Sequence, residues 1–145
     1  MTFLFTDIEA STRRWEEKPE EMRVALARHD VVLREAIENC GGWLVKHTGD
    51  GVVAAFASAR SAVDAAIVAQ RRLELPVRMS ICTGKAEARD RDYFGAVVNR
   101  AARTMAAAHG GQVLVAAATT AIVEGIEFVD LGEHRLRDLS QPQRL

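Results

Sequence analysis

The chain has 145 residues, with 19 Lys and Arg against 20 Asp and Glu and a net charge of -1. A single domain over residues 1–145 fits that length, and 48% hydrophobic with 27% charged residues excludes disorder and collagen-like order. Near-neutral charge excludes a global field that would hold a nucleic acid polymer or an anionic membrane, so any phosphate chemistry is local. Cys40 and Cys82 lie far apart without companions at zinc-ribbon spacing and read as buried free thiols. Apolar runs such as 52–57 fall far short of the ~20 residues that cross a bilayer, and no basic n-region opens the chain. A cytoplasmic domain with no membrane segment is expected.

Residues 2–8, Thr2-Phe3-Leu4-Phe5-Thr6-Asp7-Ile8, are short, apolar and aromatic, the pattern of a buried strand with Asp7 near its carboxyl end. Ser11 and Thr12 offer N-cap hydroxyls. From Pro19, the residues Met22, Leu26, Leu33, Ile37 and Cys40 recur at helical spacing until Gly41-Gly42, which predicts one long amphipathic helix. Two strand-like runs, Trp43 and Val45, then Val52, Val53 and Phe56, flank Thr48-Gly49-Asp50-Gly51. Asp-Gly there predicts a hairpin with Asp50 at its tip. Next come a helix over 59–73, a strand over 77–83, a polar stretch over 85–92 and a helix over 95–109 ended by Gly110-Gly111. A strand over 112–115, a short helix over 116–123, a last clear strand over 127–131 and an edge strand within 136–145 complete the chain. The order mixes antiparallel pairing with helical crossovers and predicts an α+β sandwich with helices on one sheet face.

Asp7 and Asp50 both fall at strand ends, where neighbouring strands of one sheet converge. Two carboxylates there suit Mg²⁺, which takes one or two protein carboxylates and completes its shell with substrate phosphate oxygens; a helix-capping Asp and a turn Asp are the structural alternative. Asn99 and Arg103 are spaced i, i+4 and share one helix face. An Arg can neutralise developing phosphoryl charge and an Asn can orient a ribose, while solvated surface residues are the alternative. His29, His47, His109 and His134 show no shared metal spacing, and Trp15 and Trp43 read as packing residues.

Phe3-Leu4-Phe5-Thr6-Asp7-Ile8-Glu9-Ala10-Ser11-Thr12, Lys46-His47-Thr48-Gly49-Asp50-Gly51 and Asp92-Tyr93-Phe94-Gly95-Ala96-Val97-Val98-Asn99-Arg100-Ala101-Ala102-Arg103 resemble the class III nucleotidyl cyclase catalytic domain. The likeness runs in the family's order over nearly the whole chain, closes on Leu131-Gly132-Glu133-His134-Arg135-Leu136-Arg137-Asp138-Leu139, and is nearest to bacterial class IIIc adenylate cyclases. It implies a ferredoxin-like, palm-type sandwich with a central, mostly antiparallel sheet. It also implies a head-to-tail homodimer with shared sites, to which residues 85–92 reach across. By the same resemblance, two divalent ions, Mg²⁺ or Mn²⁺, are held by Asp7, Asp50 and the carbonyl of Ile8. Asn99 orients the ribose, Arg103 stabilises the transition state, and Lys46 with Asp92 selects the base. Backbone N–H groups of Glu9, Ala10, Ser11 and Thr12 cradle the phosphates. All six expected side chains are present, which argues against a degenerate domain.

The implied reaction is attack of the ribose 3′-hydroxyl of ATP on its own α-phosphate, giving 3′,5′-cyclic AMP and pyrophosphate. Adenine presents an N1 acceptor beside an N6 donor, matching a donating Lys46 and an accepting Asp92, whereas guanine offers the reverse. ATP is favoured over GTP. The alternatives are a guanylyl or dual-specificity cyclase, or a silent dimerisation or nucleotide-sensing domain. Ala10 stands where the family has glycine, Cys82 where a histidine is common and Lys85 where an acid is common. Residues 71–76 form a short connection, and Arg137 lies near the family's further triphosphate contact.

Overall fold

A computed structural model describes residues 1–134, 136 and 143–145. In chain order the elements are β1 (Thr2–Ile8), α1 (Ser11–Glu17), α2 (Pro19–Asn39), β2 (Trp43–His47), β3 (Val52–Phe56), α3 (Ala59–Arg72) and β4 (Val77–Thr83). They continue with β5 (Glu87–Arg89), β6 (Asp92–Phe94), α4 (Ala96–Ala107), β7 (Val113–Val115), α5 (Ala117–Thr120), β8 (Glu133–His134) and β9 (Gln143–Arg144). Five strands form the central sheet in the order β2-β3-β1-β4-β7, antiparallel throughout except for the β4–β7 pair. The α+β sandwich with a mostly antiparallel sheet is the fold expected from the sequence.

Alternation along β1 assigns its side chains to two buried faces. Leu4 and Ile8 join Val52, Ala54, Phe56, Met79 and Ile81 under α2 and α3. The alanines at 59, 62, 65, 66 and 69 of α3 are all buried, so that helix lies close against the sheet. Phe3 and Phe5 face the other way, with Val53, Ala55 and Cys82, and are covered by Val97 and Ala101 of α4. Helices therefore cover both sheet faces, not one. The physical reason is that β1 and β3 carry large or apolar residues on both faces, Phe3, Phe5, Val53 and Ala55 on one and Leu4, Ile8, Val52, Ala54 and Phe56 on the other, so a second layer is needed to remove the odd-numbered face from water.

Other departures have local causes. The predicted helix from Pro19 is preceded by a separate seven-residue α1, because Lys18 takes an extended φ of -142 before proline, which disfavours the helical region for its predecessor. Ser11 and Thr12 lie inside α1 rather than capping it; the N-cap is Ala10, with no side-chain cap. The polar stretch 85–92 holds the β5–β6 hairpin, whose register pairs Arg89 with Asp92 around Asp90 and Arg91, both at positive φ. Residues 127–131 are not a strand. Ile126 and Phe128 pack on the core while Val129 is 82% exposed; the alternation is real, and the end of the segment, where Leu131 N–H donates to the Leu145 carbonyl at 3.0 Å, leads into the β8–β9 pair.

Cys82 is buried and Cys40 only half-buried. Trp15 packs on the core, while Trp43 is exposed at the sheet edge. Of the expected edge strand within 136–145, Gln143 and Arg144 pair with His134 and Glu133; Arg137 lies outside the described residues. Among the described residues no helix is long and apolar enough to cross a membrane.

Candidate functional site

One end of β1 carries the first group of predicted residues. The β2–β3 turn docks there through backbone contacts. Val52 N–H donates to the buried Thr6 Oγ1 at 3.0 Å, and Ile8 N–H donates to the Asp50 carbonyl at 3.3 Å. Gly51 makes the approach possible, because a Cβ at that position would sit 1.9 Å from the Thr6 carbonyl oxygen. Asp50 is thus brought to the end of β1 where Asp7 and the carbonyl-bearing Ile8 lie.

Each carboxylate has a partner. The Ser11 hydroxyl donates to Asp50 Oδ2 at 2.6 Å. Asp7 is ion-paired to Arg78 of β4, its register partner on the adjacent strand. The Arg78 Nε is buried with no hydrogen-bond partner. Beyond Ile8, the Glu9 N–H donates to the Pro76 carbonyl at 2.8 Å and its Oε2 accepts from Gly110 N–H at 3.2 Å. Glu9 is therefore latched to a neighbouring loop, and its N–H is not aimed at a phosphate as the sequence suggested. Ala10 sits at φ 56, ψ 35, a left-handed conformation that costs an L-residue roughly 1–2 kcal/mol. The N–H groups of Ser11 and Thr12 open α1 and have no intrahelical acceptor.

The second group lies elsewhere. Lys46 Nζ donates to Asp92 Oδ2 at 3.1 Å, with the two side chains 43% and 30% exposed. Tyr93 N–H, and then the Lys46 ammonium, hold the Asp92 carboxyl below the usual carboxylate range. Asn99 and Arg103 stand on α4 opposite its buried stripe of Val97, Ala101 and Thr104, as 3.6-residue periodicity requires. The sheet brings Asp7 to Asp50, and the β5–β6 hairpin brings Asp92 to Lys46, but the two pairs are not hydrogen-bonded to one another.

Arg78 has no place among the residues named from sequence, while Gly51 and Thr6 enter there only as members of a hairpin signal and a motif. A signal for Arg78 existed: it is the one charged residue in Val77-Arg78-Met79-Ser80-Ile81-Cys82-Thr83, and a charge in a buried strand calls for a partner. Cys82, its thiol pushed up to about 11 mainly by burial, is an unreactive core residue at neutral pH.

The donor set suits a hard divalent ion. Asp7 and Asp50 supply carboxylate oxygens, and among the described residues no group of three acidic, His or Cys side chains converges. A pair of this kind is completed by oxygens of a bound phosphate ligand.

Comparisons with known proteins point the same way. An uncharacterized protein of Mycobacterium tuberculosis is 41% identical over 152 residues, spanning 99% of this chain and 53% of that protein. The adenylate cyclase of Podospora anserina is 32% identical over 149 residues, spanning 79% of this chain and 7% of the enzyme. A solved structure of a Trypanosoma brucei adenylate cyclase in its monomeric state superposes with a TM-score of 0.92 at 29% identity, over 99% of this chain and 85% of that one. The chain thus spans about half the length of the mycobacterial relative and a small part of the fungal enzyme. No protein-family model matches the sequence.

Proposed function

The chain belongs to the class III adenylate/guanylate cyclase family of catalytic domains, and from that premise we propose that it converts ATP to 3′,5′-cyclic AMP and pyrophosphate. The observation that carries the reading is the convergence of Asp50 and Asp7 at the end of β1, through a turn whose Gly51 admits no side chain.

In this reading Asp7, Asp50 and the Ile8 carbonyl hold two divalent ions, Mg²⁺ or Mn²⁺, which supply Lewis-acid activation of the ribose hydroxyl and neutralise the polyphosphate. The backbone N–H groups of Ser11 and Thr12, with the turn at Ala10, bind phosphate oxygens, while the Ser11 hydroxyl fixes the Asp50 carboxylate. Lys46 donates to adenine N1 and Asp92 accepts from its N6 amino group. Their mutual hydrogen bond in the free protein keeps both charged and positioned until the base replaces it. Asn99 orients the ribose so that its 3′-oxygen lines up with the α-phosphorus. Arg103 stabilises the charge that develops as the new P–O bond forms and the bond to pyrophosphate breaks.

Asn99 and Arg103 face away from the sheet in a single chain. The reading therefore includes a head-to-tail homodimer in which one copy supplies Asp7 and Asp50, and the other Lys46, Asp92, Asn99 and Arg103. A cytoplasmic signalling role follows from a diffusible product.

The test is product formation from ATP and from GTP with Mg²⁺ or Mn²⁺. Cyclic AMP well above an Asp50→Ala control, with a larger kcat/KM for ATP than for GTP, is expected; a larger kcat/KM for GTP would make the protein a guanylyl cyclase. A second reading, nucleotide binding without turnover, is favoured by the left-handed Ala10 beside the phosphate turn. Metal-dependent ATP binding with no product would establish it.

A further inference from the structure

We infer that the cavity between α2 and the α3–β4 connection is a binding site for a small, uncharged, mostly apolar molecule that carries a hydrogen-bond donor, with His29 Nε2 as the acceptor. The inference is independent of the cyclase reading.

The cavity has a volume of about 600 Å³, within the range of small-molecule sites. Ala25 and Val32 of α2, with Leu73 and Leu75 of the connection, supply its apolar wall. His29 belongs to the same wall, and Ala25 and Val32 sit one turn to either side of it, so all three share one face of α2. Two cations border the cavity, and each already has a partner. Arg28 Nη1 lies 3.7 Å from Glu74 Oε2, and Arg72 Nη2 lies 2.9 Å from Glu35 Oε2. With its border cations paired, the cavity favours a neutral guest over an ion.

The specific contact comes from His29, whose side chain is 1% exposed. Its Nδ1 lies 2.9 Å from Asp30 Oδ1. A carboxylate only accepts, so Nδ1 donates, and the neutral ring presents Nε2 as a lone pair. That nitrogen is buried, and among the described residues nothing donates to it. A buried acceptor without a donor costs more than an ordinary hydrogen bond gains, so an incoming O–H or N–H is worth more here than at the surface. Water suits the place poorly, because the apolar side chains flanking His29 give it few of the further partners that hold a buried water. A phenol meets both needs at once, its ring against Leu73 and Leu75 and its hydroxyl donating to Nε2.

The experiment is a fluorine NMR titration of the full chain with para-fluorophenol and with para-fluoroanisole, in which a methoxy group replaces the hydroxyl and removes the donor. Wild type is compared with His29→Leu, Asp30→Asn and Ala25→Phe, with circular dichroism confirming each fold. Wild type is expected to bind the phenol about tenfold more tightly than the ether, although the ether is the more apolar of the two. His29→Leu should bring the two probes level while both still bind. Ala25→Phe, which fills the cavity and leaves His29 in place, should weaken both by about tenfold or more. If His29→Leu does not fold, Asp30→Asn carries the test at a partly exposed position: without the carboxylate the ring proton is free to move to Nε2, and the preference for the phenol should shrink. Equal binding of phenol and ether by wild type would overturn the inference. So would binding unchanged by Ala25→Phe, or no binding of either probe.

Discussion

The end of β1 and the surface formed by Lys46, Asp92 and α4 are built in opposite ways. At the first, backbone geometry places the side chains: the Asp50 turn is hydrogen-bonded to Thr6 and Ile8, and Gly51 lies against the Thr6 carbonyl. At the second, partly exposed side chains on β2, on a short hairpin and on an outward helix face turn their polar groups to the surface. On the proposed reading, the first region is preorganised by its own chain's backbone, while the second meets the β1 end of a partner copy.

Changes on the two sides should therefore fail differently. The largest effect is expected from Gly51→Ala, whose Cβ would lie 1.9 Å from a backbone oxygen. Relieving that overlap forces the hairpin off β1 and costs about 3 kcal/mol or more, read as a lower urea midpoint together with loss of activity. On the other side, Lys46→Ala should leave the urea midpoint within about 0.5 kcal/mol of wild type, since the pair is exposed. It should lower the ATP-over-GTP ratio of kcat/KM by roughly 10-fold to 100-fold by removing one of two base contacts. A matching loss of stability would show that Lys46 is part of the framework instead.

The smaller effects sharpen the contrast. Because Tyr93 N–H and Lys46 depress the Asp92 carboxyl in the folded protein, the stability contributed by its contacts is fully present above the unfolded value of about 4 and is lost as pH falls through the lower folded value. The Lys46–Asp92 contribution to nucleotide affinity should accordingly be flat from neutral pH to about 5, as read from KM for ATP relative to a Lys46→Ala reference. A decline already complete at pH 5 would contradict the depressed pKa. Ala10→Gly should relieve a left-handed alanine, raising stability by about 1 kcal/mol in urea unfolding. A loss of stability would show that this backbone is not strained.

The central strands β1 and β4 and the β2–β3 hairpin were legible because their signals are local: apolar runs of strand length and an Asp-Gly turn. The β5–β6 hairpin was not, since its turn uses Asp90-Arg91, both at positive φ, where glycine or asparagine is the usual signal. Residues 127–131 show the opposite problem, strand-like alternation in a segment that does not form a strand. At the site, motif residues could be named individually. The Asp7–Arg78 pairing could not, because it depends on the β1–β4 register, a non-local fact that no periodicity encodes.

The most direct test of a site divided between these two regions is mixing. Asp50→Ala disables the β1 end and Arg103→Ala the α4 surface. Each variant alone should produce essentially no cyclic AMP. An equal mixture should recover about a quarter of wild-type activity, since half the dimers are mixed and each of those has one intact site of two. Activity no greater than the sum of the separate variants, despite demonstrated subunit exchange, would contradict the divided site.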